Sequence, residues 1–312
     1  MLDYPLLAKA MFASAATAAG VLLAFAWLGR ASRGWGLSSG WIVGIAAGFY
    51  AGCTLLDQWP RWPPLEDRDR FLTVLLPLAI CVEVAAGAMK SRWWTRLARG
   101  ILAASATPIL LYNTVYLADL RGPGSAEWSL VEATVILFFL AIALLGVWGL
   151  TARLQVRTND RAWPPTLALV SLAAGITVML SGYYRGGLLG LPLTASIIGA
   201  ALASWTFASR SDDTAPYVGI GLVGIFTLLV IGHFFGSLPA SLAVCLLLSP
   251  LMGWIAEIPS IRRMPKPALQ ATRVLLVAAP LILVVLLAKW RFDQASGSRS
   301  VHGSAACLFT AR

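Results

Sequence analysis

Glu83 lies inside the apolar run FLTVLLPLAICVEVAAGAM, residues 71–89, deeper in hydrophobic sequence than any other ionisable group of the chain. Leaving a carboxylate at that depth costs on the order of 2.5 kcal/mol or more, so it must face other helices, find a partner or hold a proton. Glu83 is therefore a candidate proton or cation site. The next apolar run, 100–119, supplies polar company: Ser105, Tyr112, Tyr116 and Asp119 fall within about 60° of arc on an ideal helix, with Asn113 beside them. If the two runs pair antiparallel about their centres, Glu83 stands level with Thr107. Pro108 follows, and its missing N–H frees the carbonyl of Ala104 at the same depth. Glu83, Ser105, Thr107, Tyr112, Asn113, Tyr116 and Asp119 thus form a candidate hydrated path for a proton, a cation or a small-molecule substrate. The plainer alternative is a protonated Glu83 hydrogen-bonded to a neighbour, with the tyrosines in ordinary packing.

A second candidate is Arg185 in SGYYRGG, residues 181–187. Its planar fork matches the oxygens of a substrate phosphate or an anionic lipid headgroup; otherwise it is an interfacial anchor. Enzyme chemistry lacks parts. The histidines are His233 and His302 alone, and no HExxH or P-loop pattern occurs. No catalytic residue, metal or cofactor is expected. Cys53, Cys81, Cys245 and Cys307 form no CxxC pair, and the first three sit in apolar runs as small hydrophobic residues.

The elements that must position these residues cross a bilayer. The chain is 58% hydrophobic and 12% charged, and hydropathy marks ten segments, at about 8–28, 35–56, 71–89, 100–119, 128–150, 165–183, 187–208, 217–235, 238–257 and 274–289. The expected fold is all-α: a polytopic transmembrane bundle of about ten helices, one domain over residues 1–290, with a polar disordered tail over 291–312. The 24 basic residues outnumber the 14 acidic ones but are scattered through short connections. That pattern excludes nucleic acid as a partner and suits contact with the lipid bilayer and anionic headgroups. Lysine and arginine crowd the odd-numbered connections, which places both termini outside. Lys289 and Arg291, directly after the last segment, pull the other way. Only four of the basic residues are lysine, a usage expected of a GC-rich bacterial genome and hence of an inner-membrane protein. The longest connection, DQWPRWPPLEDRDR at 57–70, has prolines and charges that exclude a bilayer helix and tryptophans that suit the interface. Asp57, Asp119, Glu132 and Glu257, near segment ends, read as solvated by headgroup water.

Packing has its own signal. Gly36, Gly40, Gly44, Gly48 and Gly52 repeat at a spacing of four, a groove that lets a second helix approach closely. The small residues Ala16, Gly20 and Ala24 of the first segment are the expected occupant. Ala195, Gly199 and Ala203 echo the spacing five segments later, which raises a five-plus-five internal repeat. Two functional readings follow: a permease for a small solute with Glu83 in its polar interior, or a non-catalytic membrane subunit or scaffold whose glycine groove receives a partner helix or a second copy of the chain.

Overall fold

The computed structural model describes residues 4–29, 36–88, 92–118, 127–158, 163–206 and 217–307. Among them there is no strand. The helices are α1 (Tyr4–Gly29), α2 (Gly36–Leu55), α3 (Asp67–Arg70), a π-helical turn (Phe71–Leu75) leading into α4 (Leu76–Ala88), α5 (Arg92–Leu110), α6 (Leu130–Thr158), α7 (Trp163–Leu180), α8 (Tyr184–Leu188), α9 (Gly190–Thr206), α10 (Tyr217–Phe234) and α11 (Ala240–Leu248). A 3-10 helix (Ser249–Glu257), α12 (Pro259–Arg262) and α13 (Lys266–Cys307) follow. Eight helical stretches are long and apolar enough to cross a membrane, and α2 contributes a shorter apolar piece, Ser39–Leu55. This is an all-α, membrane-type architecture.

The helix α10 is the axis. Its sequence, YVGIGLVGIFTLLVIGHF, has no polar face, and every residue from Tyr217 to Gly232 is buried. A helix that is hydrophobic all round belongs in the core, and α10 touches α2, α4, α5, α6, α7, α8, α9 and α11. The outer helices instead turn bulky side chains such as Phe12, Phe138, Phe139, Ile282 and Leu286 outward, as a hydrocarbon solvent permits.

Helices α1, α2 and α9 meet in one three-way contact. A Cβ on Gly44 would stand 2.9 Å from the Ala18 carbonyl oxygen, and one on Gly48 would strike the Ser14 carbonyl. A Cβ on Gly52 would strike the Ser14 hydroxyl, and one on Gly40 would press on Phe25. Gly199 of α9 is equally tight against the backbone of Ala15, between buried Ala195 and Ala203. Small residues at these positions let backbones touch. The face of α1 turned to this contact is Ala10, Ser14, Ala18, Leu22 and Ala26; Ala16, Gly20 and Ala24, the expected face, are exposed. The two stripes lie two residues apart, hence about 200° apart on the helix. The buried one carries the apolar area of Leu22, and its single hydroxyl, Ser14, donates to the Ala10 carbonyl at 2.9 Å, so burying it strands no donor.

Three other expectations shift. The helix expected at 100–119 runs from Arg92 to Leu110. The chain turns through 111–118, where Asn113 adopts φ 53, a left-handed conformation that asparagine tolerates. The ninth segment breaks at Pro250, which has no N–H for an α-helical bond, and continues as a 3-10 helix. Finally, α13 does not stop near residue 290 but continues as helix to Cys307, since no proline follows Pro280 to halt it.

Candidate functional site

The α4–α5 hairpin brings Glu83 to Arg99, not to Thr107. Arg99 Nε donates to Glu83 Oε1 and Nη2 to Oε2, both at 2.7 Å. This fork-to-carboxylate geometry is the strongest form of a charge-assisted hydrogen bond. Glu83 is fully buried, whereas the Arg99 side chain keeps 28% of its surface. The guanidinium sits 5.2 Å from the centre of the Trp148 ring on α6, close enough for cation–π attraction. Gly219, in the first turn of α10, closes the other side. A Cβ there would fall 2.6 Å from Glu83 Cδ and 2.7 Å from Trp148 Cζ2, so the pair is packed without space for one methyl group. Four helices, α4, α5, α6 and α10, build this closure.

At the other end of the same membrane stretch, α3 buries four consecutive charged residues, Asp67, Arg68, Asp69 and Arg70, each less than a tenth exposed. Tyr183, in the turn between α7 and α8, donates its hydroxyl to Asp67 Oδ1 at 2.8 Å. Burial first, and then the Asp67 carboxylate, push the Tyr183 phenol well above its ordinary range. Arg68 bridges Glu66 at 3.2 Å and Asp69 at 3.6 Å. Arg70 instead donates to two backbone carbonyls, Leu65 at 2.6 Å and Leu110 at 3.0 Å. The second bond places a cation on the C-terminus of α5, where the helix dipole and its unpaired carbonyls favour one. Gln58 Nε2 donates to the Arg185 carbonyl at 3.2 Å. The π turn that follows leaves the Leu72 carbonyl to accept from the Tyr50 hydroxyl; such single-turn π segments recur at functional sites.

The two ends differ in how their ions are satisfied, although Trp148 Nε1 at the Glu83 end is also buried without a partner among the described residues. Both Glu83 oxygens have donors, whereas Asp67 Oδ2, Gln58 Oε1, Arg68 Nε and Arg70 Nε are buried with no hydrogen-bond partner. Buried polar atoms are normally paired with protein or water, and these four have no protein partner among the described residues.

The remaining expected site residues scatter. Ser105 is half-buried and donates to the Leu102 carbonyl at 3.1 Å. Thr107 is buried, Tyr112 and Asn113 are exposed, and Asp119 lies outside the described residues. Tyr116 donates to the Phe234 carbonyl at 3.2 Å and packs on Trp128 and Phe234. Because α5 ends at Leu110, the stripe cannot share one helical face. The Arg185 side chain is exposed, and its carbonyl accepts from Gln58. Glu257, expected to be solvated, pairs with buried Arg273. Glu132 is exposed and forms a capping box with Ser129. Among the described residues no His, Cys, Asp and Glu side chains group as a metal site.

Arg99 was available to sequence reasoning: residues 83 and 99 lie seven and nine residues from residue 90, the middle of the 89–91 connection, so they fall at similar depth across an antiparallel hairpin. Hydropathy starts the next helix near residue 100, because Arg92, Arg96 and Arg99 depress it, and this slides the register by eight residues, about 12 Å. No protein-family model matches the chain, and no curated protein matches it.

Proposed function

We propose that this chain is a membrane permease for a small solute, with Glu83–Arg99 closing one end of the bundle and the Asp67–Arg70 turn forming the other, openable end. The observation that carries the reading is the contrast in pairing: a buried carboxylate with both oxygens bonded at one end of the stretch, and four unpartnered buried polar atoms at the other. A purely structural core has no need of buried ions, because apolar side chains of similar volume hold a helix contact as well or better. Ten crossings in two five-helix halves, in a bacterial inner membrane, are part of this reading.

A non-catalytic scaffold is the second reading, favoured by the tight closure at Gly219. Its expected docking groove is less open to a partner, because Gly40, Gly44, Gly48 and Gly52 lie against α1 and α9 of the same chain. Proteoliposome swelling separates the two readings. Vesicles are challenged with isosmotic glycerol, xylitol, alanine and lysine, with a pH dye inside to report coupled protons. A permease admits at least one solute faster than empty vesicles do, and Asp67→Asn changes that rate. If folded wild-type protein admits none of them above the empty-vesicle rate, the scaffold reading stands.

A further inference from the structure

A cavity of about 370 Å³ opens at the Asp67–Arg70 end of the bundle, within the range of small-molecule sites. The end of α7, the 237–239 loop and α13 enclose it. Leu180, Leu242 and Phe292 supply apolar wall, and Ser181, Ser237 and Arg291 supply the polar groups. No acidic residue lines it. Ser237 holds its rim together: its N–H and its hydroxyl both donate to the Ser181 carbonyl, at 2.9 and 2.7 Å. The Ser181 hydroxyl in turn donates to the Val178 carbonyl at 2.7 Å. Both serine protons are thus spent inside the protein, and what the serines offer a ligand is acceptor lone pairs. Arg291 is the only cationic donor of the lining among the described residues. The acid next to it on α13, Asp293, stands 4.0 Å from Lys289 instead, and no ion pair holds Arg291 among the described residues.

The site therefore asks for a ligand with an apolar body, an anionic group for Arg291, and hydroxyl protons for the serines. Its position at the end of the apolar helices α7 and α13 is where lipid headgroups lie, and basic pockets between membrane helices bind such headgroups. We infer that this cavity is a binding site for an anionic glycerophospholipid, its phosphate on Arg291, its headgroup hydroxyls toward Ser181 and Ser237, and its acyl chain along Leu242 and Phe292.

Native mass spectrometry of the full chain in detergent tests it, with phosphatidylglycerol and phosphatidylcholine titrated separately. One phosphatidylglycerol should be retained per chain in preference to phosphatidylcholine. Arg291→Ala should weaken retention about tenfold, the scale of one lost charge-assisted contact, and Arg291→Lys less. Ala288→Phe, which fills the cavity and leaves Arg291 in place, should abolish retention; Lys289→Ala on the same helix should leave it unchanged. Excess inorganic phosphate should fail to displace the lipid. Equal retention of the two lipids, undiminished binding by Arg291→Ala, or equal losses from Arg291→Ala and Lys289→Ala would overturn the assignment. Arg291→Ala removes an exposed side chain, so that arm decides even if Ala288→Phe fails to fold.

Discussion

The two charged ends of the α3–α4 stretch solve the same problem differently. At Glu83 the ion is fully buried but complete, with two bonds from Arg99, a Trp148 ring over the guanidinium and Gly219 pressed against the carboxylate. At Asp67–Arg70 four ions are nearly as buried, yet much of their bonding goes to backbone carbonyls and one tyrosine, and several polar atoms are left over. A complete pair resists change, since any movement strands a charge in low dielectric. An incomplete cluster gains partners when water enters. Burial alone therefore does not separate the two ends; unspent hydrogen-bonding capacity does.

The contrast can be broken by mutation. The largest effect is expected from Arg99→Ala, which leaves Glu83 buried and unpaired and should cost about 3 kcal/mol in thermal unfolding followed in detergent. Replacing both Glu83 and Arg99 by Leu should recover most of that loss; if it does not, the pair is more than a closure. Gly219→Ala comes next, at about 2 kcal/mol for overpacking against Glu83 and Trp148. It should leave deuterium uptake by residues 67–75 unchanged. Tyr183→Phe removes the donor to Asp67 and should cost only about 1 kcal/mol, because an end with open valences admits water as a substitute. A loss larger than that of Arg99→Ala would reverse the comparison. The smallest effect at neutral pH is an alkaline one. The folded chain holds the Tyr183 proton to higher pH than the unfolded chain does, so this group's stability is fully present below about pH 10 and declines above it. Tyr183→Phe should therefore flatten the fall in melting temperature on the alkaline side; an unchanged slope would remove Tyr183 from the buried cluster.

Much of the architecture was legible in the chain. Long apolar runs specify membrane helices because backbone polar groups in lipid must be bonded within their own segment. The glycine spacing of α2 marked a close helix contact because only small residues let backbones approach. The deep acid at Glu83 was legible too, as the ionisable group set deepest in an apolar run. Its partner was not reached, because arginines in the first half of α5 lower hydropathy and hide where the helix begins; their long stems let it start in apolar surroundings all the same. The DRDR turn was missed for a related reason. Charge in sequence argues for water, and only the fold supplied Tyr183, 116 residues away, and the carbonyls of Leu65 and Leu110 to keep these ions inside.

The sequence by itself determined that the chain enters a membrane as helices, which of its helices is apolar on every side, and that one acid must be accounted for at depth. Those properties reside in single segments and follow from local hydrophobicity and periodicity. Only the tertiary structure decided that Arg99 meets Glu83, that Ser14 and Ala18 rather than Ala16 and Gly20 meet the α2 glycines, and that Asp67 to Arg70 are buried. Each of those outcomes depends on register between helices, which is set by how whole faces pack and by which polar groups find partners, and no segment carries that information alone.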